Sequence, residues 1–174
     1  TDLVELNLSN TKIDDITSLK YSDKLMKFNI SHTAVGDISV LEKMNRLENV
    51  DISKTQVVDF SPLSNLMELK VLNLESSKIQ TLSPIEKLSE ITFLNASATA
   101  IDNLNSLASL KNLKTLNLDS TRITELTALK NLVSLELLHV NHTSVGNLRP
   151  LQDLKNLVRV YCDHTPINQT LADA

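Results

Sequence analysis

Apolar residues return at the same places every 22 residues along this chain. Full copies of the pattern begin at Leu3, Leu25, Leu47, Leu69, Ile91, Leu113 and Leu135, and a shortened eighth copy begins at Leu157. A fixed period of this length is the signature of a solenoid, in which each repeat stacks on its neighbours. We therefore predict a single repeat domain over residues 1-174, with seven full repeats at 3-156 and a partial eighth at 157-174.

The first part of each copy has the pattern of a short strand. Counted from the first Leu or Ile of a copy, positions 4 and 6 are apolar throughout, from Leu6 and Leu8 to Val160 and Cys162. The residue between them is mostly polar. This alternation predicts a strand with one buried face.

The second part of each copy has the spacing of a tight helical turn. Positions 14, 17 and 20 and the next position 1 are apolar at intervals of three, with Ser22 as an exception. Residues i and i+3 share one face of a 3₁₀ segment. Position 15 carries N-cap residue types such as Thr17 and Ser39, and position 16 is proline in three copies. We predict a short helical return that is N-capped by position 15.

These repeats resemble the leucine-rich repeat, L-x-x-L-x-L-x-x-N-x-L, over essentially the whole chain. The 22-residue length, with Asp-Phe-Ser-Pro-Leu at 59–63, resembles bacterial internalin-like surface proteins, and Sds22-like intracellular repeats share that length. The resemblance implies an α/β solenoid, right-handed and curved, with a parallel β-sheet on its concave side and 3₁₀ or short helices on its convex side.

Position 9 departs from the family pattern, which has Asn there. This chain has Thr in seven copies and Ser77 in the other. We expect the hydroxyl to bond a nearby loop backbone group while the methyl packs inward. Threonine-type repeats that close on Val160–Ile167, Val-Tyr-Cys-Asp-His-Thr-Pro-Ile, resemble leucine-rich repeat proteins of Bacteroidetes-type bacteria.

The resemblance places positions 3, 5 and 7 outward on the concave sheet. Eight strands at about 4.8 Å spacing make a surface roughly 35 Å long. Position 5 is Asn or Asp in the first six copies. Such a row either forms an amide ladder or offers hydrogen bonds to a ligand. We select Asn73, Asn95 and Asn117 as candidate ligand-binding residues.

Departures from the repeat provide the other candidates on this surface. Phe93, Leu137, His139, Arg159 and Tyr161 occupy outward positions in the C-terminal half. Binding hot spots favour aromatic residues and arginine, so we predict that these five form an anchor cluster. The alternative is that they are scattered surface residues without a role in binding.

The remaining reactive side chains do not indicate catalysis. His142 and His164 occupy position 8 of adjacent copies, where they either stack or bridge a metal with Asp163 or His139. Cys162 occupies an inward position and is predicted to be a core residue. The sequence has no recognisable phosphate loop or nucleophile motif. We assign no metal site, cofactor or catalytic residue, and predict that the chain is not an enzyme.

Composition limits the possible partners. The 174 residues are 41% hydrophobic and 22% charged, with a net charge of −4. Acidic and basic residues are interleaved, so we expect no nucleic-acid partner and no membrane insertion. The single cysteine excludes an internal disulfide.

The resemblance implies a protein–protein interaction module that binds a macromolecular partner on its concave face. An internalin-like protein would be bacterial, and at the cell surface or secreted. One alternative is a cytoplasmic scaffold or phosphatase regulator of the Sds22-like kind. Another is a carbohydrate-binding surface that uses the position 5 amides with Phe93 and Tyr161.

Both ends of the sequence lack an obvious cap. We expect the chain to be a fragment of a longer protein, whose open edges allow edge-to-edge self-association or docking to flanking domains. A short helix over residues 169–174, capped by Asn168, is predicted to cover the last core layer with Leu171.

Overall fold

The repeats build one open sheet of eight parallel strands. A computed structural model describes residues 2–167, and the helix predicted at 169–174 lies outside this range. The strands are β1 (Glu5–Asn7), β2 (Lys27–Asn29), β3 (Asn49–Asp51), β4 (Val71–Asn73), β5 (Phe93–Asn95), β6 (Thr115–Asn117), β7 (Leu137–His139) and β8 (Arg159–Tyr161). Their spatial order is their sequence order. The predicted solenoid with a parallel sheet is confirmed.

Short 3₁₀ segments alternate with the strands, as the three-residue spacing predicts. They comprise Thr17–Tyr21, Ser39–Lys43, Ser61–Asn65, Ser83–Ile85, Asn105–Leu107, Thr127–Asn131 and Arg149–Leu151. Neighbouring segments contact one another along the chain. Each repeat is therefore strand, turn and tight helical return.

The predicted N-cap at position 15 is wrong, because the 3₁₀ segments begin at that residue. The preceding residue, such as Ile16, is buried in the core and cannot cap with its side chain. Position 13 supplies the acceptor instead: Asp15 Oδ1 accepts the Thr17 N–H at 2.7 Å and Asp59 Oδ1 accepts the Ser61 N–H at 2.9 Å. These backbone hydrogen bonds favour the ionised carboxylates and lower the pKa of both aspartates.

A single, mainly aliphatic core runs through the stacked repeats. Side chains at equivalent positions lie over one another in successive repeats, as Leu72, Leu94 and Leu116 do at position 4, all fully buried. No repeat encloses these residues alone, so burial depends on stacking. Cys162 is half-buried and packs against this core, as predicted.

Every strand is followed by a residue in the left-handed conformation at position 8. The eight residues have φ between 52° and 58° and none is glycine. The backbone N–H of each of the first seven donates to position 7 of the next repeat, as Ala98 does to the Asp119 carbonyl at 2.8 Å. This hydrogen bond offsets the strain of a left-handed residue. The sequence carries little sign of the turn, because position 8 includes Lys54 and Ala98.

The threonines at position 9 bond the backbone of their own repeats. The hydroxyl of each donates to the carbonyl of position 6, for example Thr99 to Ala96 at 2.7 Å and Thr121 to Leu118 at 2.6 Å. The expected hydroxyl bond is therefore confirmed. Ser77 is the exception: its hydroxyl is the one buried side-chain polar atom within residues 2–167 that has no hydrogen-bond partner.

Replacing Ser77 with threonine should stabilise the protein. The added methyl restricts the side-chain torsion and favours the hydroxyl orientation of the other repeats, so that the hydroxyl bonds the Leu74 carbonyl. We expect the free energy of unfolding to rise by about 1 kcal/mol in urea denaturation. The matched variant Thr99→Ser should lower it. Equal stability of Ser77→Thr and wild type would show that the unpaired hydroxyl carries no cost.

Candidate functional site

The outward side chains of the strands form one continuous surface, which we call the sheet face. It comprises positions 3 and 5 of all eight repeats. In β4 to β7 the central residue is buried and both neighbours are partly exposed. The predicted outward direction of positions 3 and 5 is thus confirmed. Position 7 was also predicted to be outward, but it is buried at Ser31, Ser53 and Ser97, where the hydroxyl bonds the position 5 side chain.

The asparagines on the sheet face act first on their own backbone. Asn73, Asn95 and Asn117 each accept the backbone N–H two residues later through Oδ1, at 3.1, 3.1 and 2.9 Å. This turn closes the strand. A bond between rungs occurs once among the position 5 residues described, from Asn73 Nδ2 to Asp51 Oδ2 at 3.1 Å.

The amide nitrogens of Asn95 and Asn117 remain available to a ligand. Neither Nδ2 has a hydrogen-bond partner within residues 2–167, whereas that of Asn73 is occupied. Because Oδ1 is held by the backbone, the free half of each amide is a donor. The candidate asparagines are therefore structural residues, of which two also offer a donor on the sheet face.

Repeats 7 and 8 have no Asn or Asp at position 5, and another side chain performs its role. Asp119 Oδ1 accepts the Asn141 N–H at 2.6 Å, and Asn141 Oδ1 accepts the Asp163 N–H at 2.7 Å. Asn141 Nδ2 also donates to Asp119 Oδ2 at 3.1 Å. We call these two side chains the acceptor relay. Each comes from the preceding repeat, so the backbone N–H groups remain paired.

The acceptor relay leaves His139 and Tyr161 free to present their rings outward. The two rings stack, with centroids 4.5 Å apart and an interplanar angle of 24°. His139 Nδ1 lies 3.8 Å from Asp119 Oδ2. Tyr161 is 41% exposed, the largest exposed aromatic surface of any residue on the sheet face.

Four of the five predicted anchors lie together. Leu137 pairs with Arg159 across β7 and β8, and His139 pairs with Tyr161. We call these four residues the C-terminal patch. Phe93 is separated from it by Thr115 of β6 and instead lies beside Val71. The predicted cluster is thus a patch of four residues and a fifth residue about 10 Å away.

His142 and His164 stack in a second pair, with ring centroids 4.4 Å apart at 19°. Both occupy the left-handed position after the strand. Within residues 2–167 no group of three or more His, Cys, Asp or Glu is placed to hold a metal ion. The stack accounts for the pair without one.

Charged residues along the sheet are mostly paired between neighbouring repeats. Lys27 Nζ lies 3.2 Å from Glu5 Oε2, and Lys70 Nζ lies 2.9 Å from Glu48 Oε2, a bond that raises the pKa of Lys70. Arg159 differs, because it has no ion pair among the residues described.

Within residues 2–167, no helix is long and apolar enough to cross a membrane.

Comparison with known proteins identifies the architecture. No protein-family model and no curated protein matches the chain. Among solved structures, it is similar to the internalin InlF of Listeria monocytogenes, with a TM-score of 0.94 and 25% identity over 97% of this chain and 50% of that one.

Two further structures are similar to this chain. The internalin InlC2 of Listeria monocytogenes has a TM-score of 0.80 and 24% identity, with 91% of this chain and 80% of that one covered. A leucine-rich repeat protein of Leptospira interrogans has a TM-score of 0.87 and 18% identity, with 95% and 50% covered. The protein therefore has the leucine-rich repeat fold, as internalins do. It spans about half the length of two of these three chains.

The acceptor relay predicts a local effect on hydrogen exchange. Asp119→Ala removes the acceptor of the Asn141 N–H, so that amide should exchange faster, measured by NMR at neutral pH. The matched variant Asp119→Asn keeps an acceptor oxygen and should exchange more slowly than Asp119→Ala. Exchange of the Asn141 amide at the wild-type rate in Asp119→Ala would contradict the assigned role.

Proposed function

We propose that this protein is a binding module that holds a protein partner against the sheet face, the concave face of a leucine-rich repeat. The acceptor relay carries the proposal. It satisfies the backbone of repeats 7 and 8 without Asn at position 5. The outward residues of these two repeats include the stacked rings and an arginine that has no ion pair among the described residues. The presence of His139 and Tyr161 in place of Asn at position 5 therefore changes the surface, while the backbone N–H groups remain paired.

The chemistry of the patch supports a protein ligand. Aromatic residues and arginine are enriched at the energetic centres of protein interfaces, and Leu137 adds apolar surface beside Arg159. A carbohydrate is less well matched, because one face of the Tyr161 ring is against His139. Phe93 lies three strands from Tyr161, so the two rings do not form a common platform for a sugar.

The similarity to internalins supports a role at a bacterial surface or in the secreted fraction. We propose that this protein binds a partner and does not catalyse a reaction. The competing proposal is that the protein is a cytoplasmic scaffold of the Sds22-like kind. Docking through the terminal strands β1 and β8 is a separate prediction.

Site-specific photocrosslinking tests the proposed face. A benzophenone amino acid at Thr115 should crosslink a protein partner, because Thr115 lies between Phe93 and Leu137 on the sheet face. The same amino acid at exposed Glu86, on the 3₁₀ side, is the matched control. The protein should be offered intact cells and, separately, a bacterial cytosolic extract.

The expected result is a crosslink from position 115 that forms with intact cells and is lost in a Leu137→Asp/Tyr161→Ala variant. Crosslinks that form with the cytosolic extract alone would favour the scaffold role. Crosslinks from position 86 alone would contradict binding on the sheet face. Circular dichroism of the variants checks that each remains folded.

A further inference from the structure

We propose that the C-terminal patch recognises a carboxylate beside an apolar side chain in its partner, with the carboxylate on Arg159 and the apolar group on Leu137. This inference rests on the proposed function, since it assumes a protein segment on the sheet face. It adds the chemistry of that segment.

Within residues 2–167, Arg159 is the one charged residue on the sheet face whose side chain has no ion pair or hydrogen bond. The other charged strand residues at positions 3 and 5 have partners: Glu5 and Lys27 form an ion pair at 3.2 Å, and Asp51 accepts from Asn73 at 3.1 Å. The side chain of Arg159 is exposed. A guanidinium binds a carboxylate through two parallel N–H donors, which gives both affinity and orientation.

Nearby carboxylates are directed elsewhere. The Arg159 N–H bonds the backbone carbonyl of Glu136 at 3.2 Å, but the Glu136 carboxylate lies 3.2 Å from Lys114 Nζ. Asp119 is held by the Asn141 backbone and side-chain amides. Asp163, four residues after Arg159, makes no ion pair with it within residues 2–167. Among residues 2–167, therefore, no acidic side chain forms an ion pair with Arg159.

Arg159 shares the sheet face with one apolar neighbour and with two donors of the position 5 row. Leu137 lies directly beside it in β7. Asn117 Nδ2, in β6, is a free donor, and the Tyr161 hydroxyl has no hydrogen-bond partner in the described part of the chain. Donors around an apolar residue fit a segment that supplies oxygen acceptors and an apolar side chain. A nucleic acid fits less well, because its binding requires several cations.

The spacing of the strands limits how such a segment lies. Leu137 and Arg159 are on adjacent strands about 4.8 Å apart, and Phe93 is about 10 Å beyond Leu137. An extended chain advances about 3.3 Å per residue. A segment along the solenoid axis would therefore carry its acidic residue one or two positions from the first apolar residue. A second apolar residue, for Phe93, would lie about three positions further on.

Selection from a displayed library of random peptides of about 12 residues tests the inference. Wild-type protein should recover peptides in which Asp or Glu lies one or two positions from Leu, Phe or Trp. Selection on Arg159→Gln should lose the acidic residue, and selection on Arg159→Glu should recover Lys or Arg in its place. Lys155→Gln, which removes an exposed charge on the 3₁₀ side, should select the same peptides as wild type.

Affinity measurements then assign the contact. A selected peptide should bind Arg159→Gln about tenfold more weakly than wild type. Replacing the peptide's acidic residue by the corresponding amide should weaken its binding to wild type by the same factor. The same replacement should not weaken its binding to Arg159→Gln any further, as a double-mutant cycle requires.

The possible failures are distinguishable. In one outcome, Thr115→Arg blocks binding of the selected peptides, but these have no preference for an acidic residue and bind Arg159→Gln as well as wild type. That result would overturn the proposed recognition of a carboxylate and leave the proposed binding face intact. Peptides that bind Thr115→Arg as well as wild type would overturn both, because a bulky charged residue there obstructs the sheet face.

Discussion

Parallel pairing at a constant offset of 22 residues is the constraint on which the rest of the structure depends. Each strand residue lies opposite its equivalent in the next repeat, from Glu5 with Lys27 to Tyr161 with His139. A shift of one residue would turn the buried position 4 outward in every following strand. The same offset places each of the first seven left-handed residues at position 8 beside the carbonyl that its N–H bonds in the next repeat. The copies accordingly contain no insertion, and their inward positions are apolar apart from Ser22 and the hydroxyl residues of position 9.

Many polar residues that resemble ordinary surface residues in the sequence are needed to pair the backbone of the repeats. The Asn at position 5, the Thr at position 9 and the Asp at position 13 each bond a backbone group of the same repeat, as Asn95, Thr99 and Asp59 do. Buried or crowded backbone groups left unpaired would cost free energy in every repeat. A surface can diverge for binding only where the backbone remains paired by other means. Repeats 7 and 8 meet that condition through Asp119 and Asn141.

The sequence was sufficient to predict the solenoid, its strands and its inward residues, because one period governs them all. It misplaced the N-cap, since a spacing of three does not tell which residue begins the turn. The left-handed position 8 was missed because its residues range from Asn10 to Ala98. The acceptor relay was missed because its partners are 22 residues apart. The separation of Phe93 from the C-terminal patch could have been predicted from the 22-residue period, since that period places Thr115 between Phe93 and Leu137.

The most direct test compares Asn117→Ala with His139→Ala, which change the same position in adjacent repeats. Urea denaturation and affinity for the crosslinked partner should be measured for both. The account predicts that Asn117→Ala loses about 1 kcal/mol of unfolding free energy and, through its one free amide donor, less affinity than His139→Ala. His139→Ala should keep most of its stability and bind about tenfold more weakly, the loss of about 1.4 kcal/mol at an interface anchor. The reverse pattern, with affinity residing in Asn117 and stability in His139, would contradict it.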